Sequence, residues 1–234
     1  MIIDTAQNAA AQIVHLQADG VTTVMRYLTS NLRLGEAGAV APVRALGKLL
    51  TALKGSSKLV TAGEVKALGD AGIRVGLVFE NGGGSPGYND ITAAHGTSDA
   101  TFSLGYLPNI GAPAGTCLFF ACDNDFSASA INILVLPYFE AIAKVFAGSN
   151  YLVGVYGSGL VCRTVCGEGL AASAWLSGSM GWTESRSYLA SKPKELVLVQ
   201  DKMDVTVAGL DVDTDINIGE FGDFLPSSGA QKYD

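Results

Sequence analysis

Acidic residues follow two apolar runs of this sequence at the points where the runs end. The run at 116–122 is followed by Asp123 and Asp125, and the run that ends at Phe79 is followed by Glu80. Two carboxyl groups at one site can act as general acid and general base, because each exchanges a proton with a reacting group. Two alternatives stay open: Asp125 could cap the next helix, and Glu80 could be a solvated loop residue.

The apolar runs indicate how these side chains are positioned. A short, continuous apolar run is typical of a strand buried on both faces of a parallel sheet. In such sheets, ligands and chemistry collect at the carboxyl ends of the strands. Strand-like runs occur at 1–4, 21–28, 73–79, 116–122, 151–156, 171–176, 195–199 and 205–218.

Helix-like segments separate most of these runs, at 9–18, 39–53, 61–70, 91–106 and 128–146. The alternation predicts an α/β fold, a single-domain (β/α)8 TIM-type barrel with parallel strands. The length of 234 residues suits one such barrel. We expect the barrel to cover residues 1–226 and a flexible carboxyl-terminal tail to cover 227–234.

One edge of this barrel would carry the polar residues that follow or end the strands. They are Asp4, Arg26, Glu80, Asp123, Tyr156, Trp175, Gln200 and Asp215. The set is acidic and aromatic, as in sites that cleave glycans, where carboxyl groups transfer protons and an aromatic ring packs on a sugar. It lacks the clustered Lys and Arg side chains that a phosphorylated substrate would require.

Composition and charge exclude several classes of function. The chain is 48% hydrophobic and carries a net charge of −7, which favours a large core and argues against a nucleic-acid partner. No amino-terminal signal-peptide pattern is visible, and no stretch is expected to span a membrane. Export by a specialised system or by a delivery partner stays open, so the compartment is undecided.

The cysteines do not predict a metal site. Cys117 and Cys122 fall on the buried run and are expected to be core thiols. Cys162 and Cys166 are one helical turn apart, and a disulfide between them is an open alternative. A zinc site would need more soft ligands than two histidines supply, so no metal is expected.

Several residues mark where helices begin, bend or end. Thr61 and Glu64 fit the capping-box pattern, and Gly72 suits a left-handed position after a helix. Asp90 is expected to cap the helix that follows it, and Pro137 to kink a long helix.

The segment 81–87 contains the pattern G-x-G-x-x-G directly after a strand. In a dinucleotide-binding fold this pattern opens a helix whose amino terminus holds the pyrophosphate. Here Pro86 and Gly87 interrupt it and the helix starts later. The sequence therefore predicts that Gly82 to Gly87 form a mobile flap beside the cleft, with no nucleotide and no other cofactor bound.

Motifs along nearly the whole chain, from Asp4 to Asp215, resemble the glycoside-hydrolase-like barrels of domain-of-unknown-function family 1906. They are KLVTAGE (58–64), AGIRV (71–75), FE (79–80), FFACDND (119–125), VYGSG (155–159) and WL (175–176). The resemblance implies a barrel with a cleft for a glycan.

That family is similar to the lysozymes of glycoside hydrolase family 25, which cleave peptidoglycan. Those enzymes end their first strand in an Asp, matched here by Asp4, and carry Asp-x-Asn on the last strand, matched at Asp215. Their fourth strand ends in Asp-x-Glu, where the Glu is the general acid. This chain has Ala121 and Asp123 at those positions, so the first carboxylate is missing and the acid is one methylene shorter.

The resemblance leaves two classes of function. The first is a hydrolase of bacterial cell-wall glycan with Asp123 as the leading acid/base candidate and Glu80 as its rival. In that class Asp4 and Asp215 would orient the substrate or stabilise positive charge. The side chains expected to bind the sugar are Arg26, Asp125, Tyr156, Trp175 and Gln200. The second class is a non-catalytic glycan-binding barrel that has lost the Asp-x-Glu pair.

Overall fold

The computed structural model describes residues 1–30, 58–84 and 89–227, and eight strands within them close into a barrel. The strands are β1 (Ile2–Asp4), β2 (Thr23–Leu28), β3 (Arg74–Phe79), β4 (Cys117–Ala121), β5 (Leu152–Gly157), β6 (Ser173–Leu176), β7 (Leu196–Val207) and β8 (Leu210–Asn217). Each strand pairs with its neighbours in sequence, and β8 closes the barrel on β1. The predicted single-domain α/β barrel is confirmed.

One strand runs against the predicted direction. Strands β1 to β7 are parallel, but β8 is antiparallel to both β7 and β1. Only Ala208 and Gly209 connect β7 to β8, with φ angles of 53° and 77°. A two-residue turn with two positive φ angles reverses the chain into a hairpin, because a parallel crossover needs a dozen or more residues. The expectation of eight parallel strands is therefore wrong for β8.

Helices surround the barrel. They are α1 (Ile13–Ala18), α2 (Ala62–Asp70), α3 (Ala93–Tyr106), α4 (Ala128–Ala130), α5 (Leu136–Phe146), α6 (Gly159–Gly167) and α7 (Ser185–Ser191). Short 3₁₀ turns lie at Ala10–Gln12 and Leu107–Ile110. The helix predicted at 39–53, loop residues 85–87 and tail residues 228–234 lie outside the described residues.

The sequence of β4 is apolar throughout because both faces of the strand are buried. Leu118 and Phe120 belong to the core between the barrel and the helices, whereas Phe119 and Ala121 belong to the core inside the barrel. Successive side chains point to opposite faces, and here both faces are buried. The chain becomes polar only where β4 ends, at Asp123.

The segment 128–146 contains the proline expected to kink a helix. A π-helical segment, Ile131–Val135, separates α4 from α5, and Pro137 lies in the first turn of α5. Proline cannot donate the usual backbone hydrogen bond, and the altered pairing accommodates it. The segment is long and apolar enough to pass as a candidate membrane span, with a mean hydropathy of 1.4, by length and composition only. Core helices pass the same test, and Phe139 of this segment packs on Phe120.

Two side chains that were expected to cap helices have other hydrogen-bond partners in the structure. The Thr61 hydroxyl accepts a hydrogen bond from the Glu64 amide, but the Glu64 carboxylate does not complete the capping box, because it accepts from the Ala9 amide at 2.8 Å. Thr92 rather than Asp90 caps α3. Asp90 instead accepts from the Gly84 amide at 3.0 Å, so it holds the preceding loop.

The structure also tests the predictions for Gly72 and for the cysteines. Gly72, just past α2, has a φ of 75°, the predicted left-handed conformation. All four cysteines are free thiols, so the alternative of a disulfide between Cys162 and Cys166 is wrong. Cys117 and Cys122 are buried, as expected for core thiols.

Candidate active site

A small pocket of about 90 Å³ opens at the carboxyl ends of the parallel strands. It is lined by Tyr27, Val78, Glu80, Ala121, Asp123, Tyr156, Trp175, Gln200 and Asp213. In barrel enzymes this face of the sheet carries the chemistry. Three carboxyl groups and three aromatic rings therefore meet where the sequence places the site.

A larger cavity of about 550 Å³ lies at the opposite end of the barrel. Its wall includes Arg74, which forms an ion pair with Asp223 at 2.7 Å. Barrel enzymes use the amino-terminal end of their strands for stability rather than for catalysis. We therefore assign the candidate site to the smaller pocket, in spite of its size.

Glu80 and Asp123 end adjacent strands at the mouth of this pocket. Phe79 pairs in register with Phe120, so Glu80 lies beside Ala121. Glu80 accepts a hydrogen bond from the Lys58 ammonium at 2.7 Å, and it is only 18% exposed. Glu80 is therefore held in an ion pair at the mouth and is not a fully solvated loop residue.

Asp123 is exposed at the mouth, with the barrel wall on one side. Partial desolvation, followed by the negative charge of Glu80, raises the pKa of the Asp123 carboxyl group. The Tyr156 hydroxyl, 3.5 Å from Asp123 Oδ1, and the positive charge of Lys58 oppose the rise. Asp123 thus has the environment of a group that can hold and release a proton.

Gln200 links the buried carboxyl groups to the pocket wall. Its amide Nε2 donates to Asp213 Oδ2 at 2.7 Å and to Asp4 Oδ2 at 3.3 Å. Its Oε1 accepts from the Tyr156 hydroxyl and from the Gly178 amide, each at 3.1 Å. Because the phenol has one proton, Tyr156 can donate to only one of Gln200, Asp123 and Ser177 at a time.

Asp4 lies beneath the pocket and does not line it. It is 3% exposed, and its Oδ1 accepts from the Tyr27 hydroxyl at 2.9 Å. Burial, followed by the negative charge of Asp213, raises the pKa of Asp4 from 3.8 to about 7. Asp4 therefore lies at the site as a buried carboxyl group with a raised pKa.

Asp215 lies deeper in the barrel than predicted. Since β8 is reversed, Asp213 pairs in register with Asp4, whereas Asp215 pairs with Ile2. Asp215 is 8% exposed, and its Oδ1 accepts from the Trp175 indole at 2.8 Å. Burial, followed by the charge of Asp4, raises the pKa of Asp215 well above its usual value. The expected place of Asp215 on the rim is wrong, and Asp213 takes it.

Arg26 does not face the pocket either. It is fully buried on the helix side of β2, where its Nε donates to Glu64 Oε1 at 2.7 Å and its Nη1 to the Thr5 carbonyl oxygen. Side chains alternate along a strand, so Tyr27 enters the barrel where Arg26 was expected. The sequence expectation that Arg26 contacts a substrate is corrected to a structural ion pair.

Asp125 lies outside the pocket on an exposed loop. Its Oδ1 accepts from the Thr183 amide at 2.8 Å, so it fastens the segment before α7 rather than capping α4, which Ser127 does. Asp125 is absent from the residues that line the pocket. The structure gives it a loop contact in place of the expected sugar contact.

The start of the glycine-rich loop is packed against the site. Gly83 and Gly84 have φ angles of 62° and 105°. A β-carbon at Gly83 would lie 2.6 Å from Asp123 Cβ, and one at Gly84 would lie 2.5 Å from the Phe126 ring. The backbone of these two glycines therefore packs closely on Asp123 and Phe126, and the mobility of the loop stays a prediction. That the loop binds no nucleotide stays a prediction.

Sequence reasoning missed Tyr27, Asp213 and Lys58. Tyr27 could have been found from the strict alternation along β2, and Asp213 from the two-residue turn before β8. Lys58 is the first residue of the KLVTAGE motif, but nothing in the sequence pattern placed it at the site. Within residues 1–30, 58–84 and 89–227, no group of three or more His, Cys, Asp or Glu side chains is arranged to hold a metal ion.

The fold and the site define a closed α/β barrel with carboxyl groups and aromatic rings at the carboxyl ends of its parallel strands. Residues 14–217 match the model of the family described as "Rv2525c-like, glycoside hydrolase-like domain". The match covers most of the 234 residues, and the chain belongs to this family.

Solved structures share the barrel at low sequence identity. The Tat-secreted protein Rv2525c of Mycobacterium tuberculosis, solved with L-tartrate, aligns with a TM-score of 0.72 and 19% identity over 95% of this chain and 97% of that one. The modular autolysin LytC of Streptococcus pneumoniae aligns with a TM-score of 0.51 and 13% identity over 92% of this chain and 45% of that one. At these identities the likeness is one of fold.

Two proteins of Bacillus subtilis (strain 168), both called uncharacterized, are related in sequence. FadG is 29% identical over 154 residues, which is 63% of this chain and 26% of FadG. YbfG is 28% identical over 194 residues, which is 79% of this chain and 24% of YbfG. The chain spans about a quarter of the length of these relatives.

Proposed function

We propose that this domain hydrolyses a glycosidic bond of bacterial cell-wall glycan, peptidoglycan in particular, and that Asp123 is the general acid. The oxygen of a glycoside leaves poorly until it is protonated, and a positioned carboxyl group supplies the proton. The observation that carries the proposal is the position of Asp123 at the pocket mouth, where its pKa is raised by partial burial and by Glu80. Membership of a glycoside hydrolase-like family supports the reaction class.

Glu80 is the second carboxyl group of the proposed mechanism. Glycosidases of this type use one carboxyl group as acid and a second as base or nucleophile. Glu80 already has the Lys58 ammonium as a partner, which suits the carboxylate role, whereas Asp123 has the weaker Tyr156 contact at 3.5 Å. The reverse assignment, with Glu80 as the acid, is distinguished by pH–rate profiles, because loss of the acid removes the alkaline limb.

The remaining residues would bind the sugar and stabilise charge. Tyr156 and Gln200 line the pocket and would contact hydroxyl groups. Trp175 also lines it but is only 1% exposed, so it supplies an edge rather than an open stacking face. Asp213 lines the pocket with Asp4 beneath it, and each carboxyl group, when ionised, would stabilise positive charge on the sugar ring. Asp215 would act indirectly, by fixing the Trp175 indole.

The test is incubation of the purified chain with peptidoglycan and mass spectrometry of the released fragments. We expect Asp123→Asn to lower the rate ~10²–10⁴-fold, since an amide has nearly the same shape but cannot protonate the leaving oxygen. Asp125→Asn, two residues away and outside the pocket, is the matched control and should keep the parent rate. Near-parent turnover by Asp123→Asn would refute the assignment.

A second candidate is a glycan-binding barrel without catalysis. Two observations favour it: the pocket volume is only about 90 Å³, and Ala121 in its wall offers no carboxyl group beside Asp123. This candidate predicts saturable binding of peptidoglycan fragments by the parent chain with no new fragment in the mass spectrum. It also predicts that Asp123→Asn changes affinity only.

A further inference from the structure

Lys58 lies at the pocket mouth although it precedes the first turn of α2 by several residues. Its Nζ is 2.7 Å from Glu80 Oε2 and 4.9 Å from the centre of the Tyr27 ring. The ammonium therefore bridges the carboxyl group at the end of β3 and the aromatic face at the end of β2. Both contacts together are more specific than a surface ion pair.

The backbone fixes Lys58 in this place. Leu59 forms a parallel bridge with Tyr27, and the Val60 amide donates to the Tyr27 carbonyl oxygen at 2.9 Å. Leu59 and Val60 are buried, so the segment continues the sheet beside β2. The Lys58 side chain is 30% exposed and is directed across the pocket mouth rather than into solvent alone.

The charges that face Asp123 are otherwise negative or neutral. Glu80 follows β3, Tyr156 is on β5 and Asp213 is on β8, and the two carboxyl groups raise the pKa of Asp123. Lys58 opposes them as the cation acting on this group among the described residues. Its contact with Glu80 also removes much of the freedom of a side chain that would otherwise rotate.

We propose, on the basis of the function proposed above, that Lys58 is a positioning residue of this site. It holds the Glu80 carboxylate against the Tyr27 ring and supplies the positive charge opposite Asp123. Two consequences follow. Without Lys58, Glu80 loses its place, and misplacement of a reacting group by about 1 Å can cost ~10²-fold in rate. Without its charge, Asp123 holds its proton to higher pH.

The experiment compares Lys58→Met, which keeps the length and apolar stem, with Lys58→Arg, which keeps the charge. Lys66→Met is the control, because Lys66 pairs with Asp70 on the exposed face of α2. On peptidoglycan we expect Lys58→Met to lower kcat ~10–100-fold and to move the alkaline limb of the pH–rate profile to higher pH. Lys58→Arg should restore the position of that limb, and Lys66→Met should leave both unchanged.

A titration of the Asp123 carboxyl group by NMR separates this inference from the proposed function. We expect its midpoint to rise in Lys58→Met, to return toward the parent value in Lys58→Arg, and to stay in Lys66→Met, whether or not the chain cleaves glycan. If the parent chain releases no fragment, the hydrolase proposal fails while the titration still tests Lys58. If the Asp123 midpoint is the same in Lys58→Met as in the parent, the inference about Lys58 is overturned even where cleavage stands.

Discussion

Two ion pairs of this barrel each join a basic residue to a glutamate, in opposite surroundings. Arg26 and Glu64 are both fully buried between β2 and α2, whereas Lys58 and Glu80 are 30% and 18% exposed at the pocket mouth. Both pairs lie close to the carboxyl ends of β2 and β3. The buried pair cannot reach a substrate and serves the packing of a helix, while the pair at the mouth is open to one. Solvent access is what allows the second pair, and not the first, to take part in chemistry at the site.

The largest effect on stability is expected at the buried pair. Arg26→Met should lower the free energy of unfolding by about 3–5 kcal/mol, because Glu64 would remain as a buried charge without its cation. Chemical denaturation followed by circular dichroism measures this loss. A loss below about 1 kcal/mol would show that other groups compensate the buried Glu64 charge. The two ion pairs would then not differ in their contribution to the free energy of unfolding.

A pH-dependent loss of stability is expected from Asp4, which is also buried but pairs with no cation among the described residues. Its pKa is about 7 in the folded chain and 3.8 as the ordinary value. The folded state thus binds the proton more tightly, so the contribution is fully present below about pH 4 and is lost as pH rises through about 7. The difference between the two pKa values corresponds to at most about 4 kcal/mol in the free energy of unfolding.

The measurement is the free energy of unfolding of the parent and of Asp4→Asn between pH 4 and 8. The variant should lack much of the decline with rising pH, because an amide does not titrate. Asp125→Asn, at an exposed position, is the control and should keep the decline of the parent. Equal slopes in the parent and in Asp4→Asn would contradict the assignment of the raised pKa to Asp4.

The smallest effect on stability is expected at the mouth. Lys58→Met should change the free energy of unfolding by less than about 1 kcal/mol, since partly exposed ion pairs contribute little. The same denaturation experiment as for Arg26→Met checks it. A loss as large as that of Arg26→Met would mean that Lys58 supports the fold. Destabilisation would then explain the lower rate of Lys58→Met without a positioning role for Lys58.

Much of the fold could be predicted from the sequence, because it depends on local patterns. The apolar run before Asp123 marks β4 and its end, and the same pattern marks β3 before Glu80. The site residues on parallel strands were found in this way where the last strand residue happens to face inward. Arg26 shows the limit: it is a polar residue near the end of a strand-like run, yet it faces the helices and Tyr27 faces the pocket.

The sequence by itself determined the number of strands, their order and the acidic, aromatic character of one end of the barrel, since these follow from hydrophobic period and composition. Only the tertiary structure decided which carboxyl groups meet there. The reversal of β8 exchanged Asp215 for Asp213, because a hairpin turns the strand end for end. Lys58 reached Glu80 because its neighbour Leu59 pairs with Tyr27, a contact between residues distant in the chain. Which face a side chain takes and which charges become neighbours both depend on long-range pairing of strands, and a local sequence pattern does not encode that pairing.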